Sequence, residues 1–86
     1  AIREPSAGPT PIQIATACLA EGDNQCVIRA LSGKTRTAQE LGLLIETYRA
    51  VGDTGSALEN MSLYLKRFPN GPRSEAYNQI LEHTDR

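Results

Sequence analysis

Few side chains in this sequence have the chemistry to react or to ligate. Cys18 and Cys26 are its thiols and His83 its single imidazole. Two thiols and one distant histidine fall short of a structural zinc site, so no metal and no cofactor are expected. His83 lies in the last predicted helical turn, where a protonated imidazole meets the negative end of a helix. Without it neither a Ser-His-Asp nor a Cys-His nucleophile can be assembled, and the chain is expected not to be an enzyme. Gly33-Lys34-Thr35 ends like a phosphate loop, but the glycine such a loop requires upstream is replaced by Ile28, so Gly33 reads as a helix stop. Glu40 and Glu46 are of the types that pair in acid–base work, yet both fall in the polar pattern of one helix and read as solvated charge. Asn60-Met61-Ser62 spells a glycosylation sequon inside a predicted helix and is set aside.

The elements that must carry these residues are few as well. The chain has 86 residues, enough for one small domain, with 9 Lys or Arg against 10 Asp or Glu. At this length folding buries only ~60% of the unfolded surface. A hydrophobic content of 40% suits a modest core and is too high for wholesale disorder. A net charge of −1 disfavours nucleic acid as a partner. The basic groups, Lys34 with Arg36 and Lys66 with Arg67 and Arg73, read as separate solvated turns. No run approaches the ~18 apolar residues of a membrane helix, so direct membrane insertion is not expected. Residues 1–9, rich in Pro, Gly and small side chains, read as a flexible linker leading into a helical domain over 10–86. The start at Ala1 is what an excised segment of a longer protein, or a mature form, would have.

Helix signals punctuate the domain. Thr10-Pro11-Ile12-Gln13 and Thr37-Ala38-Gln39-Glu40 are capping boxes, the first with the preferred proline. Apolar residues follow at helical spacing: Ile12, Ile14, Ala15, Cys18 and Leu19, then Leu41, Leu44, Ile45, Tyr48 and Val51. Both helices end in similar phrases, Glu21-Gly22-Asp23 and Val51-Gly52-Asp53. Glycine there closes a helix, and the next residue or two can cap another. Helical patterns follow over 24–31 and 54–68, Pro69-Asn70-Gly71-Pro72 breaks the chain, and a last helix over 72–84 carries Ala76, Tyr77, Ile80 and Leu81. No stretch reads as a strand. The expected fold is all-α: hairpins 10–33 and 37–69 and a terminal helix over 72–84, about five helices.

If residues 22–23 form the first turn, Cys18 and Cys26 stand nearly opposite each other on antiparallel helices. Adjacent helices near a tight turn meet the ~7 Å limit on Cα separation in a disulfide. The bond is the favoured reading, because the first hairpin has the shorter second helix and most needs a staple. Two free thiols serving as small core residues are the alternative. A bond implies an oxidising, extracytoplasmic compartment such as the periplasm, and free thiols imply the cytoplasm.

The two Gly-Asp phrases mark an internal repeat, and the second unit resembles a tetratricopeptide repeat. Leu41, Leu44, Tyr48, Gly52-Asp53, Ala57 and Pro69 fit that family's order, with Met61 at its aromatic position. Ile45 replaces the family's Gly and Tyr64 its second Ala, larger residues that imply helices set further apart. The first unit keeps Ile14, Ala15, Gly22-Asp23 and Val27, and the last helix looks like the start of a further unit, serving as a cap. Tyr64 to Pro72, with Ala76, is similar to the repeats of bacterial envelope proteins such as those of the Tol–Pal and outer-membrane assembly systems.

The resemblance implies a short right-handed array whose concave face binds a peptide or partner protein. Carried over position by position, the groove residues are Gln39, Glu46 and Arg49, then Glu75, Asn78 and Glu82 on the last helix. Such a surface is polar and mildly acidic and suits a basic or mixed-charge partner. The alternative is a structural or oligomerising tail of a signalling enzyme or an envelope assembly, in which the chain self-associates.

Overall fold

The computed structural model describes residues 10–84, and the expected linker over 1–9 lies outside the described residues, as do residues 85 and 86. Five helices make up the described part, with no strand among those residues: α1 (Pro11–Ala20), α2 (Asn24–Leu31), α3 (Ala38–Ala50), α4 (Thr54–Arg67) and α5 (Ser74–Thr84). The all-α class is therefore as the sequence predicts.

Both predicted capping boxes form. The Thr10 and Thr37 side chains accept from the amides of Gln13 and Glu40, whose own side chains accept from the threonine amides. The two Gly-Asp turns share one geometry. Gly22 and Gly52 take φ of 73° and 81°, a left-handed conformation that costs a residue with a Cβ. Their amides donate to Leu19 and Arg49, and the next amides, of Asp23 and Asp53, donate to Cys18 and Tyr48. This is a Schellman closure at each site. The same aspartates then open the next helix, Asp23 Oδ1 accepting from the Cys26 amide at 3.0 Å and Asp53 Oδ1 from the Ser56 amide at 3.1 Å.

Each helix packs chiefly against its neighbours in the chain: α1 on α2, α2 on α3, α3 on α4 and α4 on α5. Two apolar clusters result, and they meet on α3. Ala15, Cys18, Val27, Leu31 and Leu44 form one, and Leu41, Ile45, Ala57, Met61, Tyr64 and Tyr77 form the other, with Tyr48 against both.

Some sequence expectations shift. The last helix begins at Ser74 rather than at residue 72: the Ser74 amide donates to Gly71 O in a tight turn, and the first helical bond runs from the Tyr77 amide to Arg73 O. Of the apolar residues of α1, Ala15 and Cys18 are buried whereas Ile14 and Leu19 are each 41% exposed. A terminal helix with one main partner can bury only one stripe. Val51 and Ala76 are exposed as well. Glu40 is not solvated charge: it is buried, and its carboxylate accepts from the Arg36 and Thr37 amides at 2.7 and 3.1 Å. The bulk of Tyr64 is accommodated at Gly71. A Cβ on Gly71 would lie 2.8 Å from Tyr64 Oη, too close for any side chain without a shift. The ring stands edge-on to Tyr77 at 5.1 Å, a favourable aromatic geometry.

Candidate functional site

Helices α1 and α3 and the turn before α5 enclose a groove of ≈ 510 Å³. Its apolar walls are Ile12 and Leu19 from α1, Ala38 and Leu43 from α3, and Pro72 from the turn. The capping box at Thr10 sets where α1 starts, and the Schellman turn at Gly22 sets how α2 returns; together they hold α1 against α2 at this edge.

One end of the groove is charged. Glu46, two turns into α3 and half-buried, accepts from Tyr77 Oη at 2.7 Å. Arg49, one turn further on, donates to both Glu46 oxygens at 3.2 Å. Arg73 Nη1 stands 3.7 Å from Glu46 Oε2, an ion pair beyond hydrogen-bond distance. The Tyr77 phenol is pushed well above its ordinary value, first by burial and then by its hydrogen bond to the Glu46 carboxylate and that group's charge, with Arg73 opposing.

The six residues implied by the resemblance divide. Gln39 and Glu46 line this groove, and Arg49 adjoins it through its pair with Glu46. Glu75 and Asn78 line a different, more open depression of ≈ 390 Å³ with Leu65, Pro69 and Ser74. Glu82 is exposed on α5 and accepts from Asn78 Nδ2 at 3.5 Å. Glu46 is held as a hydrogen-bond hub rather than left as solvated charge.

Sequence reasoning missed Arg73, Ile12, Leu43 and Pro72 as groove residues. The signal for Arg73 was Gly42, a glycine inside α3 with no turn to make. A Cβ there would sit 3.1 Å from Arg73 Cδ and Nε, so the arginine stem crosses α3 at this glycine.

Cys18 and Cys26 stand at disulfide distance, their Cα atoms 5.6 Å apart. His83 Nδ1 is 2.8 Å from Gln79 O within α5. Among the described residues no group of three or more His, Cys, Asp or Glu is placed to hold a metal ion. Among the described residues no helix is long and apolar enough to cross a membrane. The basic turns read as separate are in part joined, since Arg67 Nη1 donates to Thr35 Oγ1 at 3.4 Å, beside Lys34 and Arg36. A hollow of ≈ 550 Å³ lies there, between the first turns of α1 and α3, but the Thr10, Thr37 and Glu40 side chains already engage the helix-end donors. None of the family models, curated proteins or solved structures compared with the chain matches it.

Proposed function

We propose that this domain is a non-catalytic protein–protein interaction module, a short tetratricopeptide-like array within a larger protein, that seats a peptide or partner segment in the α1–α3 groove. The observation that carries the reading is the groove itself: its walls are apolar, one end holds a fixed charge cluster, and a large aliphatic side chain, Leu19, stands 41% exposed on its rim. Concave apolar sites with a few convergent polar groups are the usual form of binding sites.

The test is selection of short random peptides displayed on phage against the immobilised domain. Binding of the selected peptides is expected to fall at least tenfold on Leu19→Gln, which removes rim apolar area. It should be unchanged on Gln25→Glu, at an exposed position of α2. If no selected peptide depends on Leu19, the groove is not the site.

One observation favours a second reading, self-association or docking within a larger assembly. Helix α1 (PIQIATACLA) has no charged residue, and a helix that is apolar nearly all round is usually covered. Sedimentation across a concentration range separates the two. A mass that rises with concentration, and returns to monomer on Ile14→Gln, would favour self-association.

The compartment that accompanies the leading reading is extracytoplasmic, because a cysteine pair at this distance persists as a bond where the surroundings are oxidising.

A further inference from the structure

We infer that the groove selects an acidic partner segment, with apolar side chains against Ile12, Leu19 and Leu43 and an Asp or Glu carboxylate on Arg73. This rests on the groove reading above and gives it an acidic sign in place of the basic or mixed-charge partner expected from the sequence.

The charge count comes first. At the polar end of the groove, two guanidinium groups, Arg49 and Arg73, face one carboxylate, Glu46. That carboxylate is already engaged. It accepts from Tyr77 Oη at 2.7 Å and from Arg49 at 3.2 Å through both oxygens. A basic partner would find Glu46 committed, whereas an acidic one would find a cation in excess.

Arg73 is also held in place. Its amide donates to Tyr64 Oη at 3.2 Å, so its backbone is tied to a buried ring. Its stem crosses α3 at Gly42, where a Cβ would come within 3.1 Å of Cδ and Nε. A glycine inside a helix weakens it, and Gly42 is buried with no positive φ. Close passage of Arg73 is what this position provides. The side chain is nonetheless 52% exposed, and its contact with Glu46 is too long to be a hydrogen bond. The guanidinium is thus positioned while keeping donors for a ligand. Its planar fork fits a carboxylate through two parallel bonds, which an ammonium would not do.

The probes are the phage-selected peptides described above, synthesised with a fluorophore. They are expected to be enriched in Asp or Glu beside apolar residues. Affinity should fall about tenfold on Arg73→Gln, the loss of a charge-assisted hydrogen bond. Arg73→Lys should recover only part of it, and Arg49→Gln should lose less. Replacing the peptide's acid by its amide should lose as much as Arg73→Gln, and the two changes together should lose no more than either alone. Binding should weaken as salt rises. Arg73 is half exposed, and unchanged far-ultraviolet circular dichroism would verify that each variant is folded. Peptides that depend on Leu19 but carry no acidic preference and ignore Arg73→Gln would overturn this inference and leave the interaction module standing. Absence of any Leu19-dependent peptide would overturn both.

Discussion

At the scale of single residues, the contacts that matter most here are ones that no pattern within a single helix encodes. Tyr77 reaches Glu46 across 31 positions, and Gly71 is shaped to Tyr64. Gly71→Ala would place a Cβ 2.8 Å from Tyr64 Oη and 3.1 Å from Phe68 Cβ. Overpacking of this kind is expected to cost about 1–3 kcal/mol, read by urea denaturation. Tyr77→Phe removes the hydroxyl donor to Glu46 and should cost about 1 kcal/mol at neutral pH. The pH dependence has a definite sign. The folded chain holds the Tyr77 proton above the ordinary phenol value near ~10, where the unfolded chain releases it. The contribution is therefore complete below that value and declines as pH rises past it. The stability gap between the wild type and Tyr77→Phe should accordingly narrow above pH ~10. Little of this was legible in the sequence. Glu40 and Glu46 have the spacing of solvated helix charge, and only tertiary partners make one a buried cap and the other a hub. Gly42 could have flagged a close approach, but not by which residue.

At the scale of elements, the sequence was far more readable, because caps and turns are decided within about six residues. Thr10 with Gln13, Thr37 with Glu40 and the paired Gly-Asp phrases all do what their local chemistry dictates. The start of α5 departs from the sequence reading: Pro72 is a good first helical residue, but the chain closes a tight turn from the Ser74 amide to Gly71 O, and the first helical bond runs from the Tyr77 amide to Arg73 O. Because Asp23 and Asp53 serve the same two roles in the same geometry, Asp23→Ala and Asp53→Ala should each cost about 1 kcal/mol, with Asn in their place costing much less. Thermal denaturation of the four single variants checks this. Markedly unequal losses at the two sites would mean that packing around the turns, not the turn itself, sets the stability.

At the scale of the whole molecule, α3 joins two small cores, and α1 hangs from one of them with its outer face uncovered. A link between Cys18 and Cys26 closes a short loop and is expected to contribute roughly 2–3 kcal/mol. Reduction should lower the melting temperature, and amide exchange should rise first in α1, whose retention depends on that link. Intact mass after alkylation, with and without reductant, reports whether the pair is bonded. Two free thiols in the isolated native protein would remove the reason for an oxidising compartment. The number of helices and their hairpin order were legible in the sequence, being local. The groove was not, because it arises where α1, α3 and the turn before α5 come together, and no periodicity within one helix encodes that meeting.

The side-by-side order of the helices, each leaning mainly on the next, carries a mechanical consequence. A domain whose contacts span mostly adjacent segments has low contact order and is expected to fold quickly from many starting points. Pulled from its two ends, it should come apart by peeling, with no simultaneous shearing of distant segments. α5, a terminal helix that leans mainly on α4, should detach as a unit, while a Cys18–Cys26 bond, once formed, would keep α1 and α2 clasped. A chain built this way should lengthen stepwise under load and shorten again when the load is removed.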